Sequence, residues 1–334
     1  MMVSRIFSVE QLTNVVKAIL VREHLSYEDA HILASHIVAS ERDGTLSHGL
    51  MRVPDYLASL RAGWVNAEAK QQISATTTPF VQVEGDNGFT QVASALANDA
   101  VLERVRENGI ALLSIRNAHH IGALWTDVEP YAEQGYVALN FVNSRPRLAP
   151  YGASRPLLGT NAMSFAFYDG NGGVISWDQA SSVMSLGEVK QYALRQQPLP
   201  YGVGLDHRGN PTTDAQAILK GGTLLPFGEH KGSGIALMVE VMAAALTGAS
   251  FGFEDRSAQF PGAASSNAGQ FLIVIDPAFS SPTPFVQRIA NLITHLHHDP
   301  AIRLPGERRR INRENSLQNG IKVSEEIVSE LGLN

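Results

Sequence analysis

The residues best suited to chemistry lie in one short segment, Ser47-His-Gly-Leu-Met-Arg-Val-Pro-Asp-Tyr56. His48, Arg52 and Tyr56 follow one another at intervals of four, which predicts that one helix presents them along a single face. An imidazole transfers protons near neutral pH, a guanidinium binds a carboxylate through two hydrogen bonds, and a phenol can donate another. The segment is therefore suited to acid–base chemistry on a small carboxylate; the alternative is an ordinary solvated helix face.

Three polar segments that contain glycine lie among apolar sequence further along the chain: Asn117-Ala-His-His-Ile-Gly122, Leu158-Gly-Thr-Asn161 and Gly228-Glu-His-Lys-Gly232. Taken singly, each is typical of a structural loop. Glycine allows the backbone to come close to a ligand, and the lysine supplies an ammonium group that pairs with phosphate. Together the three segments predict a binding site.

Other segments accord with a dinucleotide site outside a Rossmann fold. Asn143-Ser144 and Asp178-Gln-Ala-Ser-Ser182 each follow an apolar strand, so two strand ends can converge on one ligand. Arg303-Leu-Pro-Gly-Glu-Arg-Arg-Arg310 is a compact basic turn that can bind a 2′-phosphate. Gly202-Val-Gly-Leu-Asp-His207 supplies only the first half of a Rossmann fingerprint, and Gly232 stands where a P-loop needs serine or threonine.

Composition and charge narrow the class of protein. With 334 residues, 44% of them hydrophobic and 17% charged, the chain predicts a globular protein of more than one lobe. The net charge of −6 argues against a nucleic-acid partner, and the lack of cysteine excludes disulfides and thiolate metal sites. No pattern such as His-Glu-x-x-His suggests zinc, so no metal is expected. The first residues show no signal-peptide pattern. The apolar run Gly234–Leu246 is too short for a membrane span, so we expect a cytoplasmic protein with a buried core helix there.

Hydrophobic periodicity predicts helices and strands that mix without regular alternation. Ser8 and Ser26 are expected to cap two N-terminal helices, and Pro54 to kink the helix that carries His48. Further helices are predicted at 91–106 and 125–134, strands at 110–115, 136–142, 164–167, 174–177 and 271–275, and a surface loop at 250–267. We therefore expect an α/β fold, a mixed β-sheet with flanking helices. Its predicted parts are a helical region 1–75, a sheet core 76–300, and a basic turn and tail 301–334.

These motifs resemble those of the type-2 malate/L-lactate dehydrogenase family over nearly the whole chain. The matching motifs are Ser47-His-Gly-x-x-Arg-x-x-x-Tyr56, His120-x-Gly122, Asn143-Ser144, Leu158-Gly-Thr-Asn161, Asp178-x-Ala-Ser181 and His230-Lys-Gly232. The resemblance implies a non-Rossmann fold, a nicotinamide cofactor, a homodimer, and reduction of 2-oxo acids or cyclic 2-imino acids. Ser40-Glu-Arg-Asp-Gly44 and Ala123-Leu-Trp-x-Asp-Val-Glu-Pro130 are most similar to the members that reduce Δ1-piperideine-2-carboxylate and Δ1-pyrroline-2-carboxylate with NADPH.

The resemblance also implies roles for individual residues. His48 would donate the proton, in a relay with Ser47 and with Glu188, which stands where the family has aspartate. Arg52 would pair with the substrate carboxylate, and Thr160 would hydrogen-bond it. The residues implied to line the cofactor are His120, Ile121, Gly122, Ala123, Leu124, Ser144, Asp178, Gln179, Ala180, His230, Lys231, Arg303, Leu304, Pro305, Gly306, Glu307, Arg308 and Arg309.

Two other functions stay open at the level of sequence. One is reduction of a 2-oxo acid, as in malate, L-lactate or ureidoglycolate dehydrogenases, because a carboxylate clamp does not distinguish C=O from C=N. The other is a nucleotide-binding protein without catalytic activity. The residues likewise leave open the size of the substrate ring, the physiological direction, and the use of NADH in place of NADPH.

Overall fold

A computed structural model describes residues 4–75, 77–280 and 282–333 of the chain. The β-strands are β1 (Ser4–Phe7), β2 (Gln72–Ala75), β3 (Phe80–Phe89), β4 (Ile110–His120), β5 (Val137–Val142), β6 (Ala162–Tyr168), β7 (Val174–Gln179), β8 (Gly204–Leu205), β9 (Pro211–Thr212), β10 (Thr223–Leu224), β11 (Ser266–Ile275) and β12 (Ile321–Ser324). The α-helices are α1 (Val9–Val21), α2 (Tyr27–Arg42), α3 (Val53–Arg61), α4 (Thr90–Asn108), α5 (Trp125–Ala132), α6 (Leu186–Leu194), α7 (Ala215–Leu219), α8 (His230–Glu240), α9 (Phe285–Leu296), α10 (Glu307–Asn319) and α11 (Glu325–Leu331). None of the helices in the described ranges is long and apolar enough to span a membrane.

The largest sheet has the strand order β2-β3-β4-β11-β5-β6-β7. Strands β3 and β4 pair in parallel, whereas the other neighbours among these described strands pair antiparallel. The prediction of a mixed β-sheet with flanking helices is therefore confirmed. Two smaller sheets, β10-β8-β9 and β1-β12, lie outside it.

Successive residues of β11 point to opposite faces of the large sheet, and each face has its own hydrophobic core. Leu272 and Val274 lie in the core that also contains Val101 of α4 and Val128 of α5. On the other face, Phe271 packs in a cluster with residues of the α8 region. The alternation explains why the second half of this central strand, residues 271–275, is apolar throughout, since both faces are covered.

The N-terminal helices enclose a separate core, to which both ends of the chain contribute. Ser8 forms the predicted capping box of α1, and the Ser26 hydroxyl accepts the Asp29 N–H at the start of α2. Strand β1 pairs antiparallel with β12, so the first and last described strands lie side by side. The division at 75/76 and 300/301 stays a prediction.

The predicted core helix at Gly234–Leu246 is buried on one side only, so that prediction is wrong in part. Helix α8 continues as a π-helical turn, Val241–Ala245, and buries Ala236 and Val239. Leu237 and Val241 on the other side are 57% and 49% exposed. A helix that is apolar on every side is therefore not necessarily buried on every side.

The surface loop predicted at 250–267 is also wrong in part. Strand β11 already begins at Ser266, and Ser257 and Ser265 are buried. The Ser265 hydroxyl lies 3.0 Å from His119 Nδ1, and its carbonyl accepts the indole N–H of Trp64. Buried polar side chains with such partners hold the segment against the protein, although its Gly, Ser and Ala content resembles that of a loop.

Candidate active site

The segment with His48 and Arg52 does not form a single helix, so the predicted common helical face is wrong. Leu46–His48 and Leu50–Arg52 form two successive 3-10 turns. Gly49 between them has φ −88° and ψ −139°, which is outside the helical region. The break reorients the imidazole relative to the guanidinium, so spacing alone does not give their geometry.

The predicted kink at Pro54 is wrong as well. Helix α3 begins at Val53, which places Pro54 in its first turn. A proline there costs no hydrogen bond, because the first N–H groups of a helix have no partner within it. The proline therefore marks the start of α3, and Tyr56 is buried within that helix.

Glu41 of α2 fixes the break between the two turns. Its buried carboxylate accepts the Leu50 N–H at 2.9 Å, and a Cβ on Gly49 would collide with the same carboxylate. Burial raises the pKa of Glu41 to about 7, although the hydrogen bond from Leu50 opposes the rise. Sequence reasoning did not single out this residue, and its only signal was its place in Ser40-Glu-Arg-Asp-Gly44.

His48 is a neutral base in the free protein. Burial, with smaller contributions from the neighbouring Arg52 and His120, lowers its pKa to about 4. Its Nδ1 lies 3.0 Å from the Ser47 hydroxyl, so the structure brings together the first two members of the predicted relay. A relay acid that favours the imidazolium is not seen in the described part of the chain.

Glu188 has another role in this structure, and its carboxylate does not reach the imidazole. The side chain is exposed and accepts hydrogen bonds from the Ser185 N–H and hydroxyl, which completes the capping box of α6. A glutamate three residues after a serine is the usual partner in such a box. The helix itself does approach the site, because a Cβ on Gly187 would lie 2.9 Å from that of Ser47.

Several buried polar atoms around Arg52 have no hydrogen-bond partner among the described residues. They are Arg52 Nε, the Tyr56 hydroxyl and both amide atoms of Gln91; the last two side chains act on one another without forming a hydrogen bond of good geometry. Arg52 Nη1 is held at 2.5 Å from Asp55 Oδ2, and the Gln91 amide also faces Gly122, where a Cβ would lie 2.8 Å from its Nε2. Buried polar groups are normally paired, so this cluster is the arrangement expected where a ligand supplies the partners.

His120 stands at the end of β4 in a buried polar network that sequence reasoning missed. Its Nε2 lies 3.3 Å from Asp127 Oδ2, which also accepts hydrogen bonds from Asn140 and Gln270. The carboxylate therefore orients the imidazole, as in other carboxylate–histidine pairs. The only sequence signal for Asp127 was its place in the motif Ala123-Leu-Trp-x-Asp-Val-Glu-Pro130.

The structure joins two of the predicted cofactor segments directly. Asp178 is the penultimate residue of β7 and accepts the Leu124 N–H at 3.0 Å, which ties it to the loop 120–124. Burial raises the pKa of Asp178, against the opposing positive charge of Arg309. Gln179 beside it is exposed, whereas Ile121, Ala123 and Leu124 are buried. The loop is thus packed against the protein at the edge of the sheet.

Thr160 and Ser144 lie next to these segments. The Ser181 N–H donates to the Thr160 carbonyl at 2.7 Å, and the Ser144 N–H donates to Asn161 Oδ1 at 3.2 Å. The Ser144 hydroxyl is buried and has no partner in the described part of the chain. This unpaired hydroxyl is a second place where a ligand could complete the hydrogen bonding.

His230 and Lys231 stand exposed at the start of α8. Gly232 follows them, and a Cβ there would meet the carbonyl oxygens of Phe227 and Ser181. This close approach requires glycine and places the start of α8 beside the segment that begins at Asp178. These contacts join, in space, the segments that carry the predicted residues at 120–124, 144, 160, 178–180 and 230–231.

The arginines of the predicted basic turn differ in whether they already have a partner. Arg303 and Arg308 are exposed and have no ion pair among the described residues. Arg309 is occupied, because its Nη2 donates to the Ser176 carbonyl at 2.9 Å and its guanidinium lies over the Trp125 ring. Leu304, Pro305, Gly306 and Glu307 help to line a cavity of about 150 Å³.

These features fit a nicotinamide dinucleotide. The start of α8 with Lys231 packs beside the segment that begins at Asp178, the Ser144 hydroxyl is unpaired, and two cations of the basic turn are free. The described β-strands form no Rossmann sheet, and the site combines a partly buried histidine, an arginine with an unpaired Nε and these polar segments. Fold and site together define a non-Rossmann oxidoreductase.

The chain belongs to the malate/L-lactate dehydrogenase family, because the sequence model of that family matches residues 7–332. It is 43% identical to a Δ1-pyrroline-2-carboxylate/Δ1-piperideine-2-carboxylate reductase of Pseudomonas syringae pv. tomato, over 95% of this chain and 93% of that protein. A (2R)-3-sulfolactate dehydrogenase (NADP+) of Chromohalobacter salexigens is 33% identical, over 98% of this chain and 97% of the other. The crystal structure of Δ1-piperideine-2-carboxylate reductase from Pseudomonas syringae pv. tomato superposes with a TM-score of 0.96 at 42% identity, covering 99% of this chain and 100% of that one. The family resemblance inferred from the motifs is confirmed.

Proposed function

We propose that this protein reduces cyclic 2-imino acids, namely Δ1-piperideine-2-carboxylate to pipecolate and Δ1-pyrroline-2-carboxylate to proline, with a nicotinamide cofactor. The observation that carries the proposal is the unpaired, buried Nε of Arg52, with the buried polar atoms of Tyr56 and Gln91 around it, beside a partly buried His48. The similarity to reductases of these substrates over nearly the full chain supports it.

Arg52 binds the substrate carboxylate in this mechanism. Asp55 already holds its Nη1, so the guanidinium is oriented before the substrate arrives, and Nε is free to donate. A carboxylate on a guanidinium edge makes two parallel hydrogen bonds, which fixes the ring of the imine as well as its charge. Thr160 would supply a further hydrogen bond to the same carboxylate.

His48 supplies the proton to the imine nitrogen. Its pKa of about 4 in the free protein results from burial and from the charges of Arg52 and His120. A substrate carboxylate on Arg52 offsets one of those charges, so substrate binding raises the pKa of His48 toward its working range. The Ser47 hydroxyl at Nδ1 holds the ring, which leaves Nε2 as the atom that transfers the proton.

The cofactor, when bound, supplies the hydride to C2 of the substrate. Ser144, Asp178–Ala180, His230–Lys231 and the loop 120–124 would hold it. We infer a preference for NADPH, because Arg303 and Arg308 are free to pair with a 2′-phosphate. NADH lacks that phosphate and is expected to bind more weakly.

We also infer a homodimer. Leu237, Met238, Val241 and Leu246 form an exposed apolar face along α8 and the π-helical turn after it. Apolar faces of this kind are usually covered by a partner, and a second copy buries the same face on both subunits. A cytoplasmic location, where reduced nicotinamide cofactors are used, accords with the reaction and is part of the proposal.

The test is to follow NADPH absorbance with Δ1-piperideine-2-carboxylate, Δ1-pyrroline-2-carboxylate, pyruvate and oxaloacetate in parallel, and to repeat each assay with NADH. Higher kcat/KM for the two imines than for the keto acids would support the proposal and rank the ring sizes. Higher kcat/KM for a keto acid would overturn it in favour of a 2-oxo acid reductase. Cofactor binding without turnover of any of the four would indicate a protein that only binds the nucleotide.

A further inference from the structure

The site contains more positive charge than one substrate carboxylate requires. Arg52, Arg145, Arg147 and Lys190 come from three separate parts of the chain, yet their charges act on one another. Burial lowers the pKa of Lys190, as do the charges of the three arginines, while Asp55 opposes the shift. The four cations therefore share one region of the protein.

The packing of the backbone places two of these cations beside the proposed substrate residues. Gly187 of α6 lies against Ser47, and Lys190 is three residues further on, hence on the same side of that helix. The Arg147 N–H donates to the Leu158 carbonyl at 2.8 Å, which is two residues before Thr160. Lys190 thus stands on the Ser47 side, and Arg147 on the Thr160 side.

The four cations differ in whether they are already paired. Arg52 pairs with Asp55, and Arg145 donates to the Ser257 hydroxyl at 3.1 Å and to the Ala264 carbonyl at 2.7 Å. The side chains of Arg147 and Lys190 are partly buried and have no hydrogen bond or ion pair with any described residue. Partly buried cations without partners are costly, because they lose hydration and gain nothing in return.

The charges in this region do not balance either. Four cations face two acidic side chains, Asp55 and Asp255, which leaves an excess of two positive charges. The carboxylate of a simple cyclic imino acid neutralises only one of them. A ligand with a second anionic group would neutralise both and would give Arg147 and Lys190 the partners that they lack.

We propose that Arg147 and Lys190 form a second anion subsite, which selects cyclic imino acids that carry a second anionic group, such as Δ1-piperideine-2,6-dicarboxylate. The inference rests on the proposed function and narrows its substrate class. The reaction is unchanged: C2 gains a hydride from the reduced cofactor, the ring nitrogen gains a proton, and the C=N bond becomes C–N. The cofactor is oxidised, and neither carboxylate is altered.

The first experiment measures binding without turnover. Pyridine-2-carboxylate and pyridine-2,6-dicarboxylate serve as planar ring probes, titrated calorimetrically with and without NADP+. We expect the dicarboxylate to bind about 10-fold or more tightly than the monocarboxylate, as a desolvated ion pair can provide. Equal affinities of the two probes for the unmodified protein would overturn the proposal.

Variants then assign the effect to residues. Lys190→Met and Arg147→Met should each weaken the dicarboxylate about 10-fold and change the monocarboxylate less than about 3-fold. Lys220→Met, at an exposed site, is the matched control and should change neither. Lys190→Arg should restore the preference, which separates loss of charge from misfolding. A loss that is equal for both probes would show that these cations bind the first carboxylate instead.

The kinetic arm compares kcat/KM for Δ1-piperideine-2,6-dicarboxylate and Δ1-piperideine-2-carboxylate. A higher value for the dicarboxylate, abolished by Lys190→Met, supports the subsite; a higher value for the monocarboxylate contradicts it. If neither imine is reduced but the probes still differ in affinity as expected, the proposed reaction fails while the anion subsite stands. The two proposals can therefore fail separately.

Discussion

Replacing Glu41 with glutamine tests how the turn between His48 and Arg52 is held. The glutamate side chain is buried, and its only hydrogen bond with a described residue is the one accepted from the Leu50 N–H at 2.9 Å. Glutamine keeps an acceptor oxygen of the same shape at this position and removes the charge. The substitution therefore separates the two possible contributions of Glu41, hydrogen bonding and ionisation.

The magnitude follows from the pKa of Glu41, which burial raises from 4.5 to about 7. Because the folded protein holds this proton more tightly than the unfolded chain, the contribution to stability is greatest below pH 4.5. It declines as the pH rises from 4.5 through about 7. A shift of this size corresponds to ~3 kcal/mol above pH 7. Glu41→Gln should thus raise the free energy of unfolding by ~2–3 kcal/mol at pH 8, and by much less at pH 5.

The assay is urea unfolding at pH 5 and pH 8, at one fixed protein concentration, for the parent, Glu41→Gln and Glu41→Ala. Glu68→Gln, at an exposed site, is the matched control and should change stability by less than about 0.5 kcal/mol at either pH. Glutamine should keep kcat/KM within about 3-fold, whereas alanine, which leaves the Leu50 N–H unpaired, should lower it about 10-fold or more. If glutamine destabilises the protein at pH 8 as much as alanine does, the carboxylate charge is needed and the reasoning is refuted.

Three further predictions concern other parts of the molecule. His48→Ala should lower kcat at pH 7 by about 10²-fold or more and leave the NADPH Kd, measured by fluorescence, unchanged. Arg52→Lys should raise the KM for the imine about 10-fold, because an ammonium cannot make the paired contact; an unchanged KM would place the clamp elsewhere. Burial lowers the pKa of His119 to about 3, so stability should be lost as the pH falls from 6.5 toward 3, and His119→Gln should flatten urea midpoints over that range.

The sheet was largely predictable from the sequence, but its strand order was not. Apolar runs mark β4, β5, β6 and β7, because strands covered on both faces are apolar at nearly every position. Strand β11 lies between β4 and β5, although it follows β5 by more than a hundred residues. The pairing of such distant strands depends on how the helices and the sheet pack together. The local pattern of apolar residues does not determine it.

Errors arose where tertiary contacts override a local pattern. The spacing of His48, Arg52 and Tyr56 is helical, but Glu41 takes the Leu50 N–H and holds the chain in two short turns. Propensity is a weak tendency of less than about 1 kcal/mol per residue, so one buried carboxylate can outweigh it. Glu188 is the opposite case, because its capping box with Ser185 is a local arrangement that a motif comparison does not weigh, and its place in the relay stays a prediction.

The candidate site separates what a motif can predict from what only a fold can show. Arg52 and His48 belong to one short segment, so their joint chemistry on a carboxylate can be inferred from their types alone. Arg145, Arg147 and Lys190 lie on a loop and a helix that the fold brings to the same place, and no spacing in the sequence relates them. In our proposals the reaction needs only the first set, whereas the choice among anionic substrates depends on the second. Two chains that share the motif can therefore share the reaction and still differ in substrate, and the side chains at 147 and 190 are where this difference should be sought.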